Sequence, residues 1–204
     1  MTTALILFAK APVPGFAKTR LIPTLRPDGA AALARRMLCH AVEQAMATNV
    51  ERVELCVSPD ASDPAFQALA ASYPEQFHFT CQTDGDLGQR MHAAIARNLS
   101  AHTHVILMGT DAPALTTERL IEAGDALQSN HAVFVPAYDG GYALIGLSHI
   151  APFLFDNMVW STSHVMEQTR ARLLERGWHW QELDAVHDID EPEDLKHLPT
   201  GWLS

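Results

Sequence analysis

Three cations lie close together in a loop that follows the first apolar run of the chain. They are Lys10, Lys18 and Arg20, in the segment KAPVPGFAKTR, and the whole chain has only 14 Lys and Arg residues. A single carboxylate, Asp111, follows another apolar run in the segment GTDAP. If the two runs are neighbouring parallel strands, these charges meet at one sheet edge. That combination suits a phosphorylated substrate bridged to a divalent metal.

The composition of the cation loop indicates a stiff loop that approaches a ligand closely. Pro12 restricts the backbone, and Gly15 permits close approach of the main chain. The loop lacks the GxxxxGK[ST] spacing of a Walker P-loop. A solvated basic loop is the alternative interpretation, but the density of cations favours phosphate binding by Lys10, Lys18 and Arg20.

The overall composition limits the classes of partner. The formal net charge is -10, with 48% hydrophobic and 19% charged residues, as in ordinary soluble proteins. This acidic balance argues against a nucleic acid or an anionic membrane as partner.

The first apolar run is too short for a signal peptide or a spanning helix. The three cysteines form no CxxC and indicate reduced, mostly buried thiols of a cytoplasmic protein. The composition fits a monomer or an oligomer equally.

Alternating apolar and amphipathic segments predict a mostly parallel, doubly wound α/β sheet. Strands are expected over 3–9, 52–57, 77–82, 105–108, 132–136, 142–147 and 178–183. Helices are expected over 28–46, from 63, over 85–99, 116–127 and 161–176, and from 190. No linker divides the chain, so we expect a single domain over 1–204. The strands 132–136 and 142–147 lack a crossover helix between them, which favours an antiparallel arrangement there.

Asp111 is a candidate metal ligand at the carboxyl edge of this sheet, where ligands of such folds bind. An Asp in such a loop also commonly forms an Asx turn or caps a helix. Mg²⁺ is often held by one or two carboxylates together with substrate phosphates. The candidates for a second carboxylate are Asp139, Asp188 and Asp190, although Asp190 with Glu193 also fits an N-terminal capping pattern.

Two glycine-containing segments are further candidate binding loops. The segment DGGY predicts a tight turn, and it supplies the substrate-binding candidates Asp139, Gly140, Gly141 and Tyr142. Its glycines would let a substrate lie against the backbone, with the tyrosine as a wall. The segment GDLGQRM predicts a helix start that could receive an anion or a base. It supplies the nucleotide-binding candidates Gly88 and Arg90.

Five short motifs occur in order along nearly the whole chain. They are FAKxPxxGxxKTRL at 8–21, GDLGxRM at 85–91, GTDxP at 109–113, DGGYxLIGL at 139–147 and WST at 160–162. Together they resemble the bacterial glycosyltransferase-like family named radical-SAM/selenodomain-associated transferases, formerly a domain of unknown function. The resemblance implies the glycosyltransferase A fold of nucleotide-diphospho-sugar transferases, which is a Rossmann-like, mixed, mostly parallel sheet with helices on both faces.

More distant resemblances point to nucleotidyl transfer. The first loop, ending in KTRL, is similar to that of the 2-phospho-lactate guanylyltransferases, which share the fold. The ending DIDEPEDL at 188–195 resembles the DxPEDL tail of molybdenum-cofactor nucleotidyltransferases. An aspartate near that tail helps to hold the metal, and the resemblance assigns this role to Asp190. The chain departs from related families in lacking a GxGxRM first loop and in reducing the DxD metal motif to Asp111.

These features predict a Mg²⁺- or Mn²⁺-dependent transferase that uses an activated nucleotide, with Lys18 and Asp111 as catalytic residues. Glycosyl transfer from a nucleotide-diphospho-sugar is the first hypothesis, because the family resemblance favours it. Nucleotidyl transfer from a nucleoside triphosphate is the alternative, because a lysine-rich loop suits a triphosphate. A nucleotide-binding module without catalysis is the third hypothesis, since a fold does not imply an activity. The acceptor is not identified by any motif.

Overall fold

The computed structural model describes residues 1–73 and 77–203 and contains one seven-stranded sheet. The strands are β1 Thr3–Lys10, β2 Arg52–Ser58, β3 Phe77–Cys81, β4 His104–Gly109, β5 Ala132–Pro136, β6 Tyr142–Leu147 and β7 Trp180–Glu182. The helices are α1 Ile22–Met46, α2 Pro64–Ser72, α3 Leu87–Leu99, α4 Thr117–Ala126 and α5 Val165–Glu175. Short 3₁₀ helices cover Thr19–Leu21, Pro152–Leu154 and Pro192–His197.

The strand order is β3-β2-β1-β4-β6-β5-β7. The pairs β3–β2, β2–β1, β1–β4 and β5–β7 are parallel, whereas β6 is antiparallel to both β4 and β5. The prediction of a mostly parallel, mixed α/β sheet is therefore confirmed. The antiparallel strand follows the DGGY turn, where the sequence lacks a crossover helix.

Both faces of the sheet are covered by helices, which explains why its strands are apolar runs. Alternate residues of β1 enter different cores. Leu5 and Leu7 pack in a cluster with α1, α2 and α4, whereas Ala4 and Ile6 pack in a cluster with α3 and α5. The sheet is thus held from two sides, and its carboxyl edge is left for loops.

Local chemistry sets where the helices begin. Asp63 caps α2 by accepting a hydrogen bond from the amide of Ala65 at 2.8 Å. Asp86 and Gln89 form a capping box at the start of α3. The long α1 is interrupted at Arg26, where φ is 62°, so its regular part begins close to the predicted start at residue 28.

The predicted helix over 161–176 begins four residues late, at Val165. Ser161 has φ of 60°, which is incompatible with a right-handed helix. The amide of Met166 donates to the carbonyl oxygen of Gly140 at 2.9 Å. This contact ties the first turn of α5 to the DGGY turn.

The tail of the chain departs from the predicted capping pattern by one residue. The capping box joins Glu191 and Asp194 rather than Asp190 and Glu193. Asp194 Oδ2 accepts hydrogen bonds from the amides of Asp190 and Glu191 at 3.1 and 2.7 Å. The side chain of Asp190 is therefore available for another contact.

Two predictions from composition can be compared with the described residues. No helix in the ranges 1–73 and 77–203 has both the length and the hydropathy needed to cross a membrane. The three cysteines are free, as expected. Cys56 is buried, Cys39 is half-buried and Cys81 is exposed, so the expectation of mostly buried thiols is wrong for Cys81.

Candidate functional site

The cation loop and the Asp111 loop meet at the carboxyl edge of the sheet. β1 and β4 are adjacent and parallel, with Phe8 opposite Gly109 in the register. The chain segments that follow these two residues therefore leave the sheet side by side. The two apolar runs are thus neighbouring parallel strands, which is the condition under which the sequence predicts that the cations and Asp111 meet at one sheet edge.

The ammonium group of Lys18 lies between two carboxylates. Its Nζ donates to Asp111 Oδ2 at 3.2 Å and to Asp190 Oδ1 at 2.6 Å. The side chain of Lys18 is only 12% exposed. Burial opposes its charge, but the two carboxylates outweigh burial and raise the pKa of Lys18. The ion pairs thus hold a buried lysine fully charged.

The backbone of Lys18 contributes to this placement. Its φ of 46° and ψ of 49° lie in the left-handed region, which costs about 1–2 kcal/mol for a residue other than glycine. Strained backbone of this kind persists where the surrounding contacts over-determine it. Here the contacts with Asp111 and Asp190 hold the side chain in place.

Asp111 is positioned from both sides. A Cβ on Gly109 would lie 2.8 Å from Asp111 Oδ1, so the glycine makes room for the carboxylate. The carbonyl oxygen of Asp111 accepts a hydrogen bond from the amide of Ile189 at 2.9 Å, which brings the tail of the chain alongside. Lys18 lowers the pKa of Asp111 against the opposite effect of burial. The carboxylate is therefore ionised at neutral pH.

Asp188 and Asp139 add negative charge beside this pair. Burial, followed by the nearby charges of Asp139 and Asp111, raises the pKa of Asp188 to about 6. Asp139 Oδ1 accepts a hydrogen bond from the amide of Gly141 at 2.8 Å, which fixes the DGGY turn. All the sequence candidates for a second metal-binding carboxylate therefore lie in one region.

A cleft of about 590 Å³ opens over the cation loop, within the usual size range of ligand pockets. It is lined by Phe8, Lys10, Phe16, Ala17, Lys18, Thr19, Arg20, Ala34, Met37, Gly109, Thr110, Asp111, Asp139, Ser161, Thr162, Ser163 and Asp190. We call it the cation-loop cleft. Arg20 in its wall pairs with Glu191 at 3.1 Å, and both side chains are largely exposed. The three predicted cations all line this cleft.

A second cavity of about 190 Å³ adjoins the first. It is lined by Leu87, Met91, Gly109, Asp111, Ala137, Asp139, Gly141, Tyr142, Ala143, Trp160, Ser161, Thr162, Val165 and Asp188. We call it the DGGY cavity. The two spaces share Gly109, Asp111, Asp139, Ser161 and Thr162. Asp111 and Asp139 therefore stand at the boundary between the cation-loop cleft and an acidic, aromatic cavity.

Several predicted binding residues line neither space. They are Pro12, Gly15, Gly88, Arg90 and Gly140. Gly15 has φ of 83° and serves the turn of the cation loop. A Cβ on Gly88 would come within 2.6 Å of the Trp160 ring, so this glycine serves packing. Their binding roles stay predictions.

Two of these residues have identifiable local contacts. Arg90 Nη1 donates to Gln82 Oε1 at 3.0 Å, beyond the ends of β1 and β2. Gly140 has φ of 93°, and a Cβ there would lie 2.2 Å from the carbonyl oxygen of Ser163. Gly140 therefore permits the close approach of the DGGY turn to the segment 161–164.

Sequence reasoning missed the hydroxyl-bearing wall of the cleft, formed by Ser161, Thr162 and Ser163. It also missed Phe16, whose side chain is 69% exposed and lines the same cleft. The WST motif at 160–162 was an available signal, since it belongs to the family resemblance. The exposed position of Phe16 has no sequence signal.

The residues present fit a hard divalent cation that also binds a substrate phosphate. Carboxylate oxygens are the ligands that Mg²⁺ and Mn²⁺ accept. The ammonium of Lys18 between Asp111 and Asp190 shows that these carboxylates attract a cation. Within 1–73 and 77–203 no group of three or more His, Cys, Asp or Glu side chains is arranged to hold a metal alone. Oxygen atoms of a substrate would therefore have to complete the coordination.

Comparison with known structures identifies the same architecture in transferases. A crystal structure named "putative nucleotide-diphospho-sugar transferase", from Desulfovibrio desulfuricans G20, is 30% identical to this chain, with a TM-score of 0.85. The match covers 94% of this chain and 84% of the other. CMP:2-keto-3-deoxy-manno-octonic acid synthetase, complexed with CTP, matches with a TM-score of 0.60 at 12% identity and covers 97% and 96% of the two chains.

Rv0371c from Mycobacterium tuberculosis H37Rv, in a complex with manganese, matches with a TM-score of 0.57 at 18% identity. The match covers 97% of both chains. At these low identities, the synthetase and Rv0371c show the shared fold alone. No curated protein gave a significant match to the sequence. Residues 24–162, more than half of the chain, match the model of one family, and the chain therefore belongs to the family described as an uncharacterized protein conserved in bacteria, DUF2064.

Proposed function

We propose that this protein is a metal-dependent transferase that uses an activated nucleotide, and that it transfers a sugar from a nucleotide-diphospho-sugar. The observation that carries the proposal is the meeting of Lys18 with Asp111 and Asp190 in the cation-loop cleft, at 3.2 and 2.6 Å. Phosphate-binding cations and metal-binding carboxylates are thereby within reach of one ligand. The relative from Desulfovibrio, at 30% identity, is named for the same class of reaction.

Each charged residue has a role in this proposal. Lys10, Lys18 and Arg20 bind the diphosphate and stabilise the negative charge that develops on it as the sugar departs. Asp111 and Asp190 hold Mg²⁺ or Mn²⁺ together with the phosphate oxygens. The bound metal supplies further charge neutralisation for the leaving diphosphate.

The balance of charge in the cleft favours a diphosphate. Lys18 is engaged by two carboxylates and Arg20 by Glu191, whereas Lys10 is exposed and has no ion-pair partner among the described residues. The cations of the cleft are thus largely offset by its own carboxylates. A triphosphate, with its larger negative charge, would need more uncommitted cations.

Nucleotidyl transfer is the second candidate function. The observation that favours it is the cation loop itself, which puts three cations along the wall of one cleft. In this case the same residues would bind a nucleoside triphosphate, and pyrophosphate would leave. The names of two structural relatives, the CTP-bound synthetase and a nucleotidyl transferase from Methanothermobacter, describe reactions of this kind.

The two candidates release different products, and product analysis separates them. The purified protein is incubated with Mn²⁺ or Mg²⁺ and with panels of nucleotide sugars and nucleoside triphosphates, and a pool of small hydroxyl compounds serves as acceptor. Release of a nucleoside diphosphate from a nucleotide sugar supports glycosyl transfer. Release of pyrophosphate from a triphosphate supports nucleotidyl transfer and contradicts the first proposal.

The control variants are Asp111→Asn, which removes a proposed metal ligand, and Asp156→Asn, which makes the same change at an exposed position outside both cavities. Asp111→Asn should lose the activity, and Asp156→Asn should retain it. Equal activity in the two variants would show that the reaction takes place elsewhere. No product from either panel would leave both transferase proposals without support and favour a non-catalytic nucleotide-binding protein.

A further inference from the structure

The DGGY cavity differs in chemistry from the cleft beside it. Its lining includes three carboxylates, of Asp111, Asp139 and Asp188, and contains no Lys, Arg or His among the described residues. The rings of Tyr142 and Trp160 form an aromatic wall, edge to face at 6.4 Å and 87°. The cavity is therefore acidic and aromatic, whereas the cation-loop cleft contains all three cations of the first loop.

The hydroxyl group of Tyr142 is an independent indication of a ligand. Tyr142 lines the cavity, and desolvation raises the pKa of its phenol. Among the residues in 1–73 and 77–203 the hydroxyl has no hydrogen-bond partner, and its oxygen is not one of the fully buried polar atoms, so it is accessible from the cavity. The hydroxyl of a tyrosine in an otherwise apolar wall usually finds a hydrogen-bond partner. A ligand hydroxyl in the cavity would supply that partner.

The aromatic wall of the DGGY cavity is tightly packed. A Cβ on Gly88 would lie 2.6 Å from the Trp160 ring, so the indole packs directly on the backbone of α3. Tyr142 also contacts the buried ring of Phe134 edge to face, at 5.4 Å. The two rings are therefore held in place before a ligand arrives, which lowers the entropy lost on binding.

The carboxylates of the cavity repel anions. Asp139 and Asp188 both line this space of about 190 Å³, and no Lys, Arg or His among the described residues lines it with them. Lys18 pairs with Asp111, but Asp139 and Asp188 have no ion-pair partner among the described residues, so a phosphate or carboxylate on a ligand beside these two would meet uncompensated negative charge. Hydroxyl groups, in contrast, donate hydrogen bonds to carboxylates.

We infer that the DGGY cavity receives the acceptor and that this acceptor is a small, uncharged polyhydroxyl compound rather than a phosphorylated or carboxylated one. Its hydroxyl groups bond with Asp139, Asp188 and the Tyr142 phenol, and its carbon skeleton packs on the aromatic wall. The inference rests on the proposed function, because it places the acceptor beside the nucleotide cleft. An uncharged acceptor would distinguish this protein from transferases that act on a phosphorylated or carboxylated acceptor.

Saturation-transfer NMR with matched pairs of ligands tests this inference. The probes are glycerol with glycerol 3-phosphate, and glucose with glucose 6-phosphate, each titrated against the wild-type protein with and without a nucleoside diphosphate. The neutral member of at least one pair should bind, and its phosphorylated partner should bind at least about tenfold more weakly, because like charges repel. A phosphorylated member that binds as well as its neutral partner would overturn the inference.

Three variants locate the binding. Tyr142→Phe removes only the hydroxyl group. It should weaken binding of the neutral ligand by about 2- to 10-fold, which is the effect of one hydrogen bond. Asp188→Asn removes one of the carboxylates, so it should reduce the difference in affinity between the neutral and the phosphorylated member of a pair. Asp156→Asn lies outside the cavity, so it should change neither the affinity for the neutral ligand nor the difference in affinity within a pair. Identical affinities in wild type and Tyr142→Phe, or no binding by any probe, would refute the inference.

Failure of this inference and failure of the proposed function give different results. If a nucleoside diphosphate raises the melting temperature but every polyol fails to bind, the acceptor inference alone is wrong. If the polyols bind through Tyr142 but no nucleotide binds the cation-loop cleft, the proposed function is wrong. The cavity would then be a polyol site with no demonstrated link to transfer.

Discussion

Replacing Lys18 by methionine removes the charge between Asp111 and Asp190 while it keeps most of the volume of the side chain. The two carboxylates, bonded to Nζ at 3.2 and 2.6 Å, then lose their partner and repel each other. Two opposite consequences follow. The protein without metal becomes less stable, and the position between the carboxylates becomes more attractive to a divalent cation.

The size of the first effect follows from the exposure of the groups. Removing one partner of a buried ion pair costs about 3–5 kcal/mol, whereas an exposed pair contributes about 0.2–1 kcal/mol. Lys18 is 12% exposed, but Asp111 and Asp190 are 38% and 44% exposed, so water can solvate the remaining carboxylates. We therefore expect a loss of about 1–2 kcal/mol. For a chain of this length that corresponds to a fall of about 2–8 °C in the melting temperature.

The second effect is measured with Mn²⁺ in the absence of nucleotide. A cation that binds the native state stabilises it by mass action. If the ammonium competes with the metal, its removal should increase the Mn²⁺-induced rise in melting temperature relative to wild type. A tenfold gain in affinity corresponds to about 1.4 kcal/mol. Titration calorimetry with Mn²⁺ gives the affinity directly.

Arg20→Met is the matched control for Lys18→Met. Arg20 is a cation of the same loop, but its pair with Glu191 is exposed on both sides, at 67% and 49%. Its loss should cost less than about 1 kcal/mol and leave the Mn²⁺ affinity unchanged. If Lys18→Met behaved like Arg20→Met, the argument that Lys18 occupies a cation position would be refuted.

Three further variants test the packing and electrostatics around the site. Glu54→Ala removes a fully buried carboxylate that pairs with Arg97, and chemical denaturation should show a loss of about 3 kcal/mol; a loss below about 1 kcal/mol would contradict a structural role for this network. Gly140→Ala should destabilise by more than Gly177→Ala, because both have positive φ but only Gly140 faces a backbone oxygen; equal losses would show that the close contact is unimportant. Asp188→Asn should raise the free energy of unfolding at pH 7 but not at pH 4. The raised pKa of Asp188 means that the contribution of this carboxyl group to stability falls as the pH rises from about 4 to 6, so the difference in stability between variant and wild type should grow over that range; a difference that does not change with pH would contradict this.

The central part of the fold could be predicted from the sequence because its strands are unambiguous. β1 and β4 are apolar runs followed by loop residues, and their parallel pairing brings Lys18 and Asp111 together as expected. The antiparallel β6 was also indicated, since the turn at 139–142 leaves no length for a crossover helix. These features depend on local composition and on general rules of connection.

Features set by tertiary contacts were missed. Nothing in the predicted strand 52–57 marks Glu54 as buried, yet it is fully buried, where its carboxylate pairs with Arg97 and accepts a hydrogen bond from Asn98, both on α3. The late start of α5 accompanies the positive φ of Ser161 and the hydrogen bond from Met166 to Gly140, and no local pattern encodes either feature.

The candidate site was predicted as a set of residue types but not as a set of contacts. The sequence left the second carboxylate open among three candidates, and it did not indicate that Lys18 lies between Asp111 and one of them, Asp190. The one-residue difference in the capping box is the physical reason, because Asp194 rather than Glu193 bonds the backbone and frees the side chain of Asp190. Whether the residues carry out their assigned roles, and whether the chain is a single domain, stay predictions.

The most direct test of the account is the melting temperature of the wild-type protein with nucleoside diphosphates and triphosphates, each with and without Mn²⁺. The account predicts a rise that requires nucleotide and metal together and that is lost in Asp111→Asn but retained in Asp156→Asn. A melting temperature unchanged by every nucleotide, with and without metal, would contradict the claim that the cation-loop cleft binds an activated nucleotide.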